Sequence, residues 1–177
     1  MRVAGIDPGT GSNSALGLVV FDTETREIAA CTEIWADVSK QPTYDRIRSL
    51  ARQAGELFNL PGNASSFTFI EYFVMRGKGG ETLSRMVGAL ITKVPEGSSF
   101  IEVQNSTVKK LVGGHGAASK ELVAEGVLEY FADNEESFTL ISELIHGENW
   151  DALDAFAIAI AGVIRQNELV EEGVSDG

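Results

Sequence analysis

A single cysteine, Cys31, leaves no partner within the chain for a disulfide, and with only His115 and His146 beside it a zinc site is not expected. Any metal would be a hard cation held by oxygen. No apolar run reaches the roughly 18–20 residues that span a bilayer, and "MRVAGID" enters a strand-like pattern instead of a signal peptide. The expectation is a cytoplasmic protein with no membrane partner. Basic residues are scarce as well: 14 Lys and Arg face 26 Asp and Glu in 177 residues, a formal net charge of −12. Such a balance ordinarily argues against nucleic acid, whose phosphates are bound mainly through Lys and Arg.

The scarcity is uneven. Residues 1–75 carry six basic and nine acidic side chains, residues 76–120 seven and three, and residues 121–177 one and fourteen, for net charges of −3, +4 and −13. Only the middle segment, with Arg76, Lys78, Arg85, Lys93, Lys109, Lys110 and Lys120, could build a phosphate-binding face. Ordinary solvated charges would give the same count.

Apolar patterning predicts three successive strands, "RVAGID", "SALGLVVFD" and "EIAACTEIW", the last two joined by the turn "TETR". The stretch 42–60 places Tyr44, Ile47, Leu50, Ala51, Ala54 and Leu57 at helical spacing, and "PGNASS" ends it. "FTFIEYF" reads as a buried strand, "GETLSRMVGALITKV" as a helix with Leu83, Met86, Val87, Leu90 and Ile91 on one side, and "SSFIEV" as a strand. "SKELVAEGVLEYF" is a helix capped by Ser119, and a last helix runs from about Asn149 to Leu169. One α/β domain over residues 1–170 is expected, a five-stranded mixed sheet with its first three strands antiparallel and helices on both faces, followed by a disordered acidic tail, 171–177.

Four carboxylates stand where a structural role explains them poorly. Asp7 ends the apolar strand "VAGI" and Glu71 follows "FTFI", so each lies at the C-terminal edge of a strand that should be central, the edge where open sheets bind ligands. Asp151 and Asp154 share one face of the last helix, one turn apart, ahead of an otherwise apolar run. Taken singly, the two helical acids could favour the helix macrodipole, worth about 0.3–1 kcal/mol each, and Asp7 before Pro8 and Gly9 could be a turn residue. Glu71 has no such use. Four carboxylates in one place would suit one or two divalent ions such as Mg²⁺. "DPGTGSNS" also invites a phosphate-loop reading, but it lacks a Lys-Ser/Thr ending and leads into a strand rather than a helix.

"GIDPGT", "IEYFVMRGKGGETLSRMVGALI", "VKKLVGGHGAASKELVAEGVL" and "DALDAFAIAIAG" resemble the successive motifs of RuvC-type Holliday-junction resolvases, in the family's order and over nearly the whole chain. The resemblance implies an RNase H-like fold, a homodimer, and nicking of a four-way DNA junction with two Mg²⁺ ions per site, for which Mn²⁺ may substitute. Asp7, Glu71, Asp151 and Asp154 fall on the family's metal-binding acids, and Lys109 and Lys120 on its two lysines near the scissile phosphate. Tyr72, Phe73, Arg76, Lys78 and Lys110 join these lysines as expected DNA contacts. The helix "GETLSRMVGALITKV" lies where the family builds its dimer interface, so its apolar side is expected between subunits. The first loop is about one residue longer than the family's, and Val74 stands where an aromatic is often used to open the junction, with Tyr72 and Phe73 just before it. These departures and the acidity suggest a phage-encoded or otherwise divergent member. The alternatives are another nuclease of the RNase H superfamily acting on RNA or an RNA/DNA hybrid, and a phosphate-loop ATPase or kinase.

Overall fold

The computed structural model describes residues 1–9, 15–36, 43–72 and 77–172, with the backbone alone for 77–79. Strands β1 (Arg2–Asp7), β2 (Leu16–Asp22) and β3 (Ile28–Ile34) form the expected antiparallel meander. The turn between β2 and β3 is set by Asp22, whose Oδ1 accepts from the backbone N–H of Glu24 at 2.8 Å and of Thr25 at 3.0 Å, the local bonding that makes Asp a turn former. Helix α1 (Thr43–Phe58) leads to β4 (Phe67–Tyr72), and α2 (Gly77–Ile91) to β5 (Ser99–Gln104). Both strands run parallel to β1, giving the order β3-β2-β1-β4-β5.

Four helices follow: α3 (Asn105–Leu111), α4 (Lys120–Tyr130), α5 (Glu135–His146) and α6 (Trp150–Glu171). Ser119 caps α4 as expected, its side chain accepting from Leu122 N–H. α3 and α5 are additions to the sequence-based order. Seven residues are too few for α3 to show a periodicity, and α5, capped by Asn134, buries only Ser137 and Ile141.

Strand alternation divides the core into two layers. Val3, Val19, Phe21, Phe69 and Val103 point to one face, under α3, α4, α5 and α6. Ala4, Ile6, Leu16, Leu18, Val20 and Ile70 point to the other, under α1 and α2. Two expectations change on this second face. Tyr44 is 61% exposed and lies against Arg85, while Phe58 takes a core place at 3%. Leu83, Met86 and Leu90 of α2 are buried within this chain, and only Ile91, at 48%, is well exposed, so the apolar side expected between subunits is core. α2 must cover the sheet's second face alongside α1, and its apolar stripe is used there.

α6 holds the first layer together, with an uninterrupted buried run from Ala155 to Val163. It crosses β1 and β2 at two glycines. A Cβ at Gly5 would stand 2.0 Å from the carbonyl oxygen of Ala155, and one at Gly17 would stand 1.9 Å from that of Asp151. Helix backbone therefore rests directly on strand backbone, an approach only residues without a Cβ permit. Among the described residues no helix is long and apolar enough to cross a membrane.

Candidate metal centre

Parity places the acids. Asp7 shares the side of Val3 and Gly5 on β1, and Glu71 the side of Phe67 and Phe69 on β4, so both face α6. β1 and β4 are parallel neighbours with Ile6 beside Ile70, which sets Asp7 and Glu71 side by side at one end of the sheet. α6 begins over that same end, because Gly17, the register partner of Asp7, takes the weight of the Asp151 backbone. The four expected acids thus converge from three elements, and Lys120, the first residue of α4, joins them. Its Nζ lies 3.2 Å from Asp154 Oδ2.

Electrostatics shows how close the charges are. Burial, and then the charges of Asp154, Glu71 and Asp151, push the Asp7 carboxyl up from 3.8 to about 8. Burial also raises Glu71, against a hydrogen bond from Asn105, and raises Asp151, against one from the Ala15 N–H. Partial burial would lower the Lys120 ammonium, but the carboxylates of Asp154, Asp7 and Asp151 outweigh it and hold its pKa above the usual value.

Each outer acid is tied to something other than its fellow acids. Glu71 Oε1 accepts from Asn105 Nδ2 at 2.6 Å, Asp151 Oδ2 from Ala15 N–H at 2.9 Å, and Asp154 is bonded to Lys120. Among the described residues no three acid, imidazole or thiol side chains stand close enough to enclose an ion. The donor set nevertheless fits a hard divalent cation: it is all oxygen and partly buried, and at Asp7 burial and then the neighbouring carboxylates disfavour the negative charge, a penalty such a cation would relieve.

The expected DNA contacts divide. Lys109 lies four residues after Asn105, on the same side of short helix α3, and is half-buried. Lys110 is exposed and lines a groove of about 630 Å³ with Arg165, reaching toward the far end of α6. Tyr72 is 42% exposed and by alternation points to the sheet face opposite Glu71. Phe73, Val74 and Arg76 lie outside the described residues, as does the side chain of Lys78, and most of "DPGTGSNS" is outside them too. Arg85 and Lys93 belong to the α1–α2 layer, where Arg85 pairs with Glu81 and Lys93 packs on Gly55. The positive middle segment is therefore spread over two faces; Lys109 and Lys110 lie on α3, which follows the Glu71 edge of the sheet, and Lys120 is the member in contact with an acid of the centre.

Two residues that touch the centre were not singled out by the sequence. Asn105 follows β5 directly, at the same sheet edge as Glu71, so its position was a usable signal. Glu33 sits on β3 opposite Gly17, and its carboxylate accepts from the first turn of α6.

No protein-family model matches the sequence, and no curated protein matches it. Solved structures do. The Thermus thermophilus RuvC structure superimposes with a TM-score of 0.67 at 21% identity, covering 98% of each chain. T. thermophilus RuvC in complex with Holliday junction substrate gives 0.68 at 20%, covering 98% of this chain and 97% of that one. Over 98% of its length the chain has the fold of these RuvC structures, an RNase H-like fold, at about one-fifth sequence identity.

Proposed function

We propose that the protein is a structure-selective endodeoxyribonuclease that resolves four-way DNA junctions, as a homodimer in the cytoplasm, the host's if it is phage-encoded. The observation that carries the reading is the convergence of Asp7, Glu71, Asp151 and Asp154 with Lys120 on a full-length RuvC-type fold. One of the similar structures is bound to a Holliday junction, which supports branched DNA as the ligand class. Two symmetric strands call for two symmetric sites, hence a two-fold dimer.

Asp7, Glu71, Asp151 and Asp154 would hold two Mg²⁺ ions, or Mn²⁺ in their place; such ions, when bound, acidify water and stabilise charge on the departing oxygen. Asp7 feels the charges of Glu71 and of the helix-borne acids alike, so it would share in holding the ions with both. Lys120, released from Asp154, would lend its charge to the scissile phosphate as that group becomes more negative. Lys109 and Lys110 would hold flanking backbone phosphates. Hydrolysis would leave 5′-phosphate and 3′-hydroxyl ends.

The test is cleavage of a labelled four-way junction with Mg²⁺, each strand mapped, against an RNA/DNA hybrid and linear duplex. Paired nicks related by two-fold symmetry are expected. Preference for the hybrid would overturn the reading, and tight ATP binding without cleavage would point to the phosphate-loop alternative. Lys120→Ala should slow single-turnover cleavage about tenfold, less than the loss of a buried donor, because 60% of the side chain is in water. An unchanged rate would remove Lys120 from the site.

A further inference from the structure

The first turn of α6 has no cap of its own. Its N-cap residue, Asn149, makes no side-chain cap bond, and its backbone sits at φ −79°, ψ 67°. Ala152 is the third helical residue, so its N–H has no acceptor within the helix; the first helical bond is the next one, Leu153 N–H to Asn149 carbonyl at 3.1 Å. The missing acceptor comes from another element. Glu33 Oε1 on β3 accepts from Ala152 N–H at 3.2 Å, and its Oε2 accepts from Asn149 Nδ2 at 3.3 Å. One carboxylate therefore ties together the cap residue and the third residue of the helix that carries Asp151 and Asp154.

The sheet register explains why a strand can do this. Asp7 pairs with Gly17, and Gly17 pairs with Glu33, so the three form one row across β1, β2 and β3 on the face that meets α6. The middle member has no side chain, and the α6 backbone at Asp151 rests on it. The outer members are both acids, one on each flank of the helix start. Asp7 stands in the metal centre, and Glu33 grips the backbone from the opposite side. Rotation of α6 about its axis, which would swing Asp151 and Asp154 away from Asp7, is resisted by Glu33 on one flank and by Ala15 N–H, 2.9 Å from Asp151 Oδ2, beside it.

We propose that Glu33 is a positioning residue for the metal centre: by capping α6 from β3 it sets the rotation at which Asp151 and Asp154 face Asp7. The role rests on the nuclease reading for its consequence but not for its geometry. A carboxylate at a helix N-terminus also complements the macrodipole. The need is for an acceptor at that point, so glutamine can supply most of it and alanine none.

The experiment compares wild type, Glu33→Gln and Glu33→Ala by three measurements: amide hydrogen exchange, Mn²⁺ affinity by calorimetry, and junction cleavage against Mg²⁺ concentration. In Glu33→Ala the Ala152 amide should exchange at least tenfold faster while Ile158 and Ile160 are unchanged. Its Mn²⁺ affinity should fall about 10- to 100-fold, as for loss of a group that orients metal ligands, with the Mg²⁺ concentration for half-maximal cleavage rising in step. Glu33→Gln should restore all three to within a few-fold. A merely structural contribution would speed exchange throughout α6 and spare the metal affinity of the folded fraction, and that result overturns the proposal. So does an Ala152 amide indifferent to Glu33→Ala. If Ala152 responds and glutamine rescues it, yet the wild type binds no divalent ion and cuts no junction, the nuclease reading fails while the capping geometry stands.

Discussion

Asp7→Asn is expected to lower junction cleavage by about 10³-fold or more while leaving junction binding intact, and at the same time to make the metal-free protein more stable at alkaline pH. The two effects have one cause. Burial, and then the charges of Asp154, Glu71 and Asp151, raise the pKa of Asp7 to about 8, against 3.8 for the ordinary side chain. Below about pH 4 both folded and unfolded chains hold the proton, and the residue costs nothing. Between about 4 and 8 the unfolded chain has released the proton and the folded chain has kept it, so stability falls as pH rises, by about 1.4 kcal/mol per unit. Above 8 the full cost is present. Asparagine never ionises, so its advantage should be absent at pH 4 and should reach several kcal/mol, on the order of 1.4 for each unit of displaced pKa, at pH 9 in EDTA. Thermal melts at the two pH values, gel shifts in EDTA and single-turnover cleavage in Mg²⁺ measure the three quantities. Mg²⁺ should raise the wild-type melting temperature and not that of the variant. An active Asp7→Asn protein would sink the metal assignment, and equal pH dependence of the two proteins would sink the electrostatic account.

The acids of the candidate centre stand out in the sequence because they break local pattern. An acid at the end of a buried strand run, as Glu71 is after Phe67, Thr68, Phe69 and Ile70, has no reason to be there unless something receives it, and Asp151 and Asp154 share a helix face by spacing alone. Glu33 was not legible for the opposite reason. In "EIAACTEIW" an acid alternates with apolar residues as it would on any edge strand with a solvated side, and only the register Asp7–Gly17–Glu33 shows that its side is occupied by a helix end. The same limit applies to the basic residues. Linear charge counting put Arg85 and Lys93 with Lys109, Lys110 and Lys120, but α2 and α3 lie in different layers, and which layer a helix joins depends on the crossover from one strand to the next. The apolar stripe of α2 could be read as a face, and Leu83, Met86 and Leu90 do share one; whether a subunit or the chain's own sheet covers it depends on how much of the sheet α1 leaves bare, which spacing does not encode. Tyr44 illustrates the end effect: the first turn of α1, residues 43–46, buries none of its residues, so one with the right phase still faces water beside Arg85.

Gly17→Ala should cost more in catalysis than in stability, and comparison with two other glycines separates these effects. At Gly17 a methyl group would stand 1.9 Å from the Asp151 carbonyl oxygen and 2.5 Å from its carbonyl carbon, so the first turn of α6 must lift. Overpacking of this kind typically costs about 1–3 kcal/mol. The turn that lifts carries both Asp151 and Asp154, and displacement of reacting groups by about 1 Å can cost about 10²-fold in rate. Gly162→Ala also collides, with the Phe69 ring at 2.2 Å, but eleven residues from Asp151 along the helix, or about 16 Å. It should destabilise by a similar amount and leave the cleavage rate of folded protein within a few-fold. Gly88 in α2 has nothing within 4 Å, so Gly88→Ala should stabilise by about 0.4–1 kcal/mol through the unfolded chain and change no rate. Melting temperatures and single-turnover rates at saturating Mg²⁺ distinguish the three variants. If Gly162→Ala lost as much activity as Gly17→Ala, the rate would be following overall stability, and the close seat of α6 on β2 would have no special part in aiming the two aspartates. If Gly17→Ala alone falls by about 10²-fold, then the absence of one side chain in the middle of the Asp7–Gly17–Glu33 row is what allows strand-borne and helix-borne acids to meet.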